Sequence, residues 1–277
     1  MSLTIFDRFW HRTLGRPYHL APVVDAGAGS PVVLLHGIGR SGEVWQNVVE
    51  QLLPLNHRVV AFDLLGFGAS PKPIWPRYDA DDHAKAVIAS IEAVGFDRPV
   101  VLVGHSMGCL VAVRVTRLRP DLVKHLVLYE MPLYKGLPGK LRYRLRLDMY
   151  RRFHEWVINY QPTFGDETIC RSERLARKIV GFEVTPESWT PFVRSLENTI
   201  MHQTTDEDIK QLDVPMDAIY GSLDIFVIRG QPARMLGAEM PNVATHTVRA
   251  RHEISPKASA FIVARVEAAS VAMQPNG

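Results

Sequence analysis

One stretch, VVLVGHSMG at residues 100–108, decides the fold of this chain. Its apolar, mostly β-branched start predicts a buried strand, and the strand ends in the pattern Gly-x-Ser-x-Gly around Ser106. A segment with helical spacing of apolar or small side chains follows at once and extends to Leu118. On a sharp turn from strand to helix the serine hydroxyl is exposed, and the flanking glycines let the two elements approach closely. We therefore predict that Ser106 is a nucleophile. An ordinary helix N-cap, the alternative, explains neither the glycines nor the preceding strand.

On both sides of this stretch, short apolar runs alternate with helical segments. The pattern predicts strands at 19–25, 32–35, 58–62, 100–106, 125–129, 215–220 and 243–248, and helices at 43–53, 81–94, 107–118 and from Pro256 onward. A short amphipathic helix is also predicted before Gly15. Such alternation is typical of an α/β fold with a mostly parallel central sheet and helices on both faces.

The alternation lapses between residues 131 and 205, where no run is typical of a strand. We predict a core domain formed by residues 1–130 and 206–277, interrupted by a helical cap at 131–205 that covers the site and supplies its pocket. The start of this cap is basic, with seven Lys or Arg residues and one acid, Asp148, between residues 135 and 152. A solvated helix face is the first interpretation; an anionic substrate or an anionic membrane surface is the alternative.

The composition limits the class of protein. The chain has 277 residues, 47% of them hydrophobic, a mean hydropathy of −0.02 and a net charge of +3. These values favour a globular protein, and no apolar run approaches the roughly 18 residues of a membrane span. The charge is too mild for a nucleic-acid-binding protein. Two cysteines and no apparent signal peptide favour a cytoplasmic location, with no stable membrane insertion expected.

Four further motifs surround the serine: His36-Gly37-Ile38-Gly39 after one predicted strand, the run DLLGFGAS at 63–70 after the next, Gly221-Ser222-Leu223-Asp224 after a late strand, and His252 after the last strand. With these motifs the chain resembles the α/β-hydrolase family over nearly its whole length. The resemblance implies a capped serine hydrolase similar to esterases and lipases. The chain order Ser106, Asp224, His252 is the order in which this fold carries its catalytic triad.

The chemistry of these residue types supports that assignment. A serine hydroxyl needs a base to take its proton, and His252 can be that base because imidazole titrates near neutral pH. Asp224 would hold the other ring nitrogen and stabilise the imidazolium. The backbone N–H groups of Met107, the residue after the nucleophile, and Ile38, in the loop after the first buried strand, are the candidate donors of an oxyanion hole.

Two assignments have competitors. Glu130 follows the strand after the elbow helix, where some members of the family carry the acid, so it competes with Asp224. His252 follows Arg251, whereas a glycine commonly precedes the catalytic histidine of the family. His36 and His105 lie in motif positions where the side chain usually holds a loop, and we expect both to be structural.

The expected function is hydrolysis of a carboxylic ester or related acyl compound, a small-molecule substrate, through an acyl-enzyme. Carbon–carbon bond, lactone or amide hydrolysis and perhydrolysis use the same triad, and a non-catalytic binding protein of this fold is a further alternative. No cofactor and no metal are expected: the Gly-rich loops lack a Gly-Lys-Ser/Thr motif, and no His/Cys cluster has metal spacing. A serine in place of the aspartate used by epoxide hydrolases and haloalkane dehalogenases argues against both activities.

Overall fold

The computed structural model describes residues 8–133, 148, 151–152, 155, 184–227, 236 and 240–271. These residues build one seven-stranded sheet, with the spatial order β1-β3-β2-β4-β5-β6-β7. Strand β1 runs antiparallel to β3, and all other neighbouring strands are parallel. The strands are β1 (Pro22–Gly27), β2 (Ser30–Leu35), β3 (His57–Phe62), β4 (Val100–His105), β5 (Val123–Tyr129), β6 (Met216–Gly221) and β7 (Val243–Val248).

Helices cover both faces of the sheet. They are α1 (Gln46–Leu52), α2 (Ala80–Val94), α3 (Met107–Leu118), α4 (Pro186–Ser195), α5 (Thr205–Asp208) and α6 (Pro256–Val271), with short 3₁₀ turns and two π-helical segments, Arg8–Thr13 and Leu196–Met201. Successive side chains of a strand point to opposite faces. Accordingly Val33 and Leu35 pack with α2 and α3, while Val32 and Leu34 pack with α1 and α6. The predicted α/β class with a mostly parallel, doubly covered sheet is confirmed.

At two predicted elements, contacts with residues distant in sequence change where the element begins. The first strand starts at Pro22 instead of His19, because the amides of Leu20 and Ala21 donate to the side chains of Ser90 and Ser70 and not to a neighbouring strand. The helix predicted at 43–53 opens with a 3₁₀ turn, Gly42–Trp45, whose first amide donates to Asp63 Oδ1 at 2.7 Å. All three hydrogen bonds join residues distant in sequence, which a local pattern cannot show.

The C-terminal part of the predicted cap packs directly on the core. Phe192 of α4, with Leu196 and Ile200 of the following π-helical segment, belongs to the apolar cluster on the α2–α3 face. Arg194 donates to Pro76 O at 2.8 Å, and Thr199 Oγ1 donates to Tyr78 O at 2.7 Å. These contacts attach α4 and the π-helical segment after it to the loop that precedes α2.

Most of the predicted basic segment, residues 135–152, lies outside the described residues. Within it the structure describes Asp148, Arg151 and Arg152, and Arg151 pairs with Asp148 at 2.9 Å. Trp156, Tyr160 and Cys170, all within the predicted cap at 131–205, also lie outside the described residues. In the described part of the chain, no helix combines the length and the apolar character that a membrane crossing requires.

Candidate active site

Ser106 lies on a strained turn between β4 and α3. Its backbone has φ 52° and ψ −120°, a conformation that side-chain-bearing residues rarely adopt. Its own amide donates to Tyr129 O at 3.0 Å, and its carbonyl accepts from Cys109 N at 2.9 Å. The turn is therefore held from β5 on one side and from the first turn of α3 on the other.

Glycines permit this close approach. A Cβ on Gly104 would lie 2.7 Å from the Cα of Cys109, and one on Gly108 would lie 2.6 Å from the carbonyl oxygen of His36. Real Cβ atoms do not come so near to backbone, so both flanking positions exclude any side chain. The turn that the motif predicts is thus present, with α3 packed tightly against β4 and the loop after β2.

His252 and Asp224 meet at the same end of the sheet. Asp224 follows β6, His252 follows β7, and His252 Nδ1 lies 2.8 Å from Asp224 Oδ2. The carboxylate of Asp224 is fully buried, and its second oxygen, Oδ1, accepts the amides of Phe226 at 2.6 Å and Val227 at 3.2 Å. These contacts fix the carboxylate with one oxygen aimed at the imidazole.

The charge of Asp224 is stabilised in spite of its burial. Burial alone raises the pKa of this carboxyl, but the hydrogen bond and the charge of His252, a hydrogen bond with Glu130 and the Phe226 amide together bring its pKa below the ordinary value. Asp224 is accordingly ionised at neutral pH, which suits a group that orients an imidazole and stabilises its protonated form.

Side chains from β4 and β5 hold the loop that carries His252. His105 Nε2 donates to the carbonyl of His252 at 2.9 Å, and the Tyr129 hydroxyl donates to the carbonyl of Arg251 at 2.7 Å. Arg40 pairs with Glu253 at 2.6 Å. These contacts fix the loop although Arg251 replaces the usual glycine. Burial lowers the pKa of His105 well below its ordinary value, so this ring stays neutral.

His36 connects the two loops at the candidate oxyanion site. Its Nδ1 donates to the carbonyl of Gly37 at 2.7 Å, and its Nε2 accepts the amide of Leu64 at 2.8 Å. Burial lowers the pKa of His36 to about 4, so the ring is neutral, as these roles require. A Cβ on Gly37 would lie 3.1 Å from that of Ser106, so this loop passes directly over the elbow. Ile38 follows in the same loop, and Met107 is the first residue of α3, where a helix leaves its amide unsatisfied.

Comparison with known proteins agrees with this architecture. A model of the alpha/beta hydrolase fold matches residues 30–164. A bromoperoxidase from Bacillus anthracis superimposes with a TM-score of 0.68 at 23% identity, covering 89% of this chain and 93% of that one. The chain has the α/β-hydrolase fold.

Two curated relatives match shorter segments of the chain. A 2-hydroxy-6-oxo-6-(2'-aminophenyl)hexa-2,4-dienoic acid hydrolase from Metapseudomonas resinovorans is 40% identical over 108 residues, which cover 38% of this chain and 37% of the relative. A 2-hydroxymuconate semialdehyde hydrolase from Pseudomonas sp. (strain CF600) is 34% identical over 138 residues, covering 46% and 47%. The chain thus spans less than half the length of these relatives.

A second carboxyl, that of Glu130, lies beside Asp224 and His252. Glu130 directly follows β5, is fully buried and has φ 55°. It offers an oxygen within 4.8 Å of the nearest ligand atoms of both Asp224 and His252. Asp224 makes the hydrogen bond to His252 Nδ1, at 2.8 Å. Among the described residues, these three side chains are the group whose atoms lie close enough to hold a metal ion, and two of them are the predicted triad partners.

The structure adds one group that the sequence analysis did not single out. Tyr129 ends β5 beside the elbow, its ring stacks on His105 with centroids 5.6 Å apart, and its hydroxyl holds the His252 loop. The available signal was its place as the last residue of the strand next to β4. That position alone does not show which way a tyrosine hydroxyl points.

Proposed function

We propose that this protein is a serine hydrolase that cleaves a carboxylic ester, or a related acyl compound, of a small-molecule substrate. One observation carries the proposal. Ser106 lies on a strained strand-to-helix turn, directly after His105 in the sequence. The ring of His105 holds the carbonyl of His252, and His252 Nδ1 lies 2.8 Å from the buried carboxylate of Asp224. Such a combination activates a hydroxyl, and a merely structural turn does not need it.

The proposed reaction has two stages. The Ser106 hydroxyl attacks the carbonyl carbon while His252 Nε2 takes its proton, and Asp224 stabilises the imidazolium that forms. The amides of Ile38 and Met107 donate to the oxyanion. When the tetrahedral adduct collapses, the alcohol leaves with the proton from His252 and the acyl group stays on Ser106. Water, activated by His252, then releases the acid and restores the serine. No cofactor takes part in these steps.

We propose that residues 131–205 form a cap over this site and that residues 1–130 and 206–277 form the core. The described contacts of α4 with the loop before α2 support such an arrangement, because they fix the returning end of the cap near the Gly-rich loop. A side chain on Gly66 in that loop would overlap both Pro191 of α4 and Tyr78. The cap would exclude water from the acyl-enzyme and shape the pocket.

A second candidate is hydrolysis of a carbon–carbon bond. It is favoured by the two curated relatives, which are named as hydrolases of a dienoic acid and of a semialdehyde. The same serine would attack a ketone carbon, and His252 would protonate the departing carbon. Carbon leaves well only as a stabilised carbanion, so the substrate would need a conjugated acceptor such as the 2-hydroxy-6-oxo-dienoate group.

A two-substrate assay tests the proposal. Turnover of p-nitrophenyl esters of increasing acyl length is compared with turnover of a 2-hydroxy-6-oxohexa-2,4-dienoate, for the wild type, Ser106→Ala and a control, Ser41→Ala. Ser41 is a suitable control because its side chain makes no capping hydrogen bond. We expect ester turnover that Ser106→Ala abolishes and Ser41→Ala retains. A higher kcat/KM on the dienoate selects the second candidate. Ester turnover that survives in Ser106→Ala contradicts both.

A further inference from the structure

The segment formed by residues 8–16 exposes three large apolar side chains close together. Phe9 is 52% exposed, Trp10 41% and Leu14 49%. The amide of Leu14 donates to the carbonyl of Phe9 at 3.1 Å, so these two residues lie on successive turns of a π-helical backbone and on the same side of it. A single exposed apolar side chain is common, whereas adjacent ones form a patch of the kind that contacts a membrane or another protein.

The opposite side of segment 8–16 is attached to the core. The His11 ring stacks on Tyr18 with centroids 3.7 Å apart, and Tyr18 is buried in the apolar cluster on the α2–α3 face. His11 Nδ1 also donates to the carbonyl of Arg16 at 2.8 Å, which holds the end of the segment against its turn. Segment 8–16 therefore has one orientation on the core, with Phe9 and Leu14 facing away from it.

The charge of this region is positive. Residues 8–20 contain three arginines and no acidic residue. Arg12 and Arg16 are exposed, and the guanidinium of Arg16 lies 5.9 Å from the centre of the Trp10 ring. Aromatic and leucine side chains beside arginines suit the boundary between lipid headgroups and acyl chains, because the apolar groups enter the acyl layer while the guanidinium groups meet phosphates. The charge and the apolar patch together fit an anionic bilayer.

We propose that segment 8–16 binds the surface of an anionic phospholipid membrane. Phe9, Trp10 and Leu14 enter the boundary of the acyl layer, and Arg12 and Arg16 contact headgroup phosphates. The contact is peripheral, because a six-residue π-helical turn is far shorter than the roughly 20 residues of a membrane-spanning helix. This binding goes beyond the proposed hydrolase function and does not depend on it.

Sedimentation of the full chain with phospholipid vesicles tests the proposal. The vesicles contain phosphatidylcholine alone or phosphatidylcholine mixed with phosphatidylglycerol, which is anionic. We expect tighter binding to the vesicles that contain phosphatidylglycerol. The difference between the two vesicle types should shrink with added salt, since the Debye length falls from about 30 Å at 0.01 M to about 3 Å at 1 M.

An apolar variant measures the contribution of the exposed patch. Phe9→Ser/Leu14→Ser should weaken binding about 25-fold, roughly fivefold for each half-exposed side chain that no longer enters the acyl layer. The matched control is Leu55→Ser. Leu55 is 43% exposed, close to the value for Leu14, but it lies between α1 and β3. We expect this control to bind as the wild type does.

A charge variant measures the electrostatic contribution. Arg12→Gln/Arg16→Gln should also weaken binding about 25-fold, roughly fivefold for each arginine beside an anionic surface, and should reduce the salt dependence. Arg98→Gln/Arg117→Gln removes the same charge from two exposed sites, one before β4 and one at the end of α3. This control separates local contact from net charge, and we expect it to bind almost as the wild type does.

Three results would overturn the proposal. The first is a wild type that does not bind anionic vesicles. The second is unchanged binding in both variants of segment 8–16, with unchanged melting temperatures, which would place the lipid contact elsewhere. The third is a dimer in the absence of lipid that Phe9→Ser/Leu14→Ser dissociates, without vesicle binding, which would make a second copy of this chain the occupant of the patch. None of these measurements uses turnover, so failure of the proposed hydrolase function does not affect them.

Discussion

Asp224→Asn tests the arrangement of the triad by replacing one carboxylate oxygen with an NH₂ group. In the wild type, Oδ1 of Asp224 accepts two backbone amides and Oδ2 faces His252 Nδ1. An asparagine will keep its oxygen toward the amides of Phe226 and Val227, because its NH₂ group cannot accept from them. The NH₂ group then points at Nδ1 of His252 and donates to it. This places the imidazole proton on Nε2, the atom that must receive the proton of the serine.

The size of the effect follows from that tautomer. The wrong tautomer costs on the order of 10⁴ in kcat in the known precedent, which corresponds to about 5.4 kcal/mol in activation free energy. The side chain keeps its volume and the two backbone hydrogen bonds, so the free energy of unfolding should change far less than the activation free energy. A large loss of rate with a nearly unchanged melting temperature is therefore the expected signature.

The assay is single-turnover and steady-state hydrolysis of a p-nitrophenyl ester, with thermal unfolding measured in parallel. Asp217→Asn is the matched control, since Asp217 is also a buried aspartate bonded to histidines, His125 at 2.8 Å and His246 at 2.5 Å, but it lies within β6 away from the elbow. We expect the control to lose stability and to keep kcat. A loss smaller than about 10² in Asp224→Asn, or an equal loss in both variants, would refute the reasoning.

Three further outcomes are expected. Burial raises the pKa of Asp217, but its contacts with His125 and His246 lower it more, so the folded-state pKa lies below the ordinary value. The stability that the Asp217 charge contributes is therefore present above about pH 4 and is lost as the pH falls through the folded-state pKa. Chemical unfolding of the wild type and Asp217→Asn should show the difference between their free energies of unfolding shrinking at acid pH. Gly108→Ala should lower both the melting temperature and the reactivity of Ser106, because the new Cβ would overlap the carbonyl oxygens of Leu35 and His36. The control Gly95→Ala places its Cβ in open space and should cost only about 1 kcal/mol of unfolding free energy for its positive φ. Equal effects of the two variants would contradict the packing described for the elbow. Tyr129→Phe removes one hydrogen bond to the His252 loop, about 1 kcal/mol, and should lower kcat about fivefold with KM little changed; an unchanged kcat would show that the loop is held without it.

The sequence predicted the parts of this structure that depend on local patterns. Strand β4, the turn at Ser106 and helix α3 follow from one continuous stretch, and the end of α2 at Gly95, which is left-handed with φ 67°, follows from the residue type. The Asp224–His252 pair could also be anticipated, because loops after neighbouring parallel strands meet at one edge of a sheet.

What the sequence could not predict depends on contacts between distant residues. No pattern shows that the hydroxyl of Tyr129 reaches a carbonyl 122 residues later. The choice between Asp224 and Glu130 is of the same kind. Both acids follow strands, and only the direction of each side chain shows that Asp224 contacts His252 while Glu130 contacts the amide of Gly221.

The most direct test of the central claim is covalent labelling of Ser106 by a fluorophosphonate, followed by peptide mapping in a mass spectrometer. The account predicts one modified residue, Ser106, with no label in Ser106→Ala and strongly slowed labelling in His252→Ala, because the attacking hydroxyl then lacks its base. Label on another residue, or labelling that persists in Ser106→Ala, would contradict the claim that this elbow carries the nucleophile.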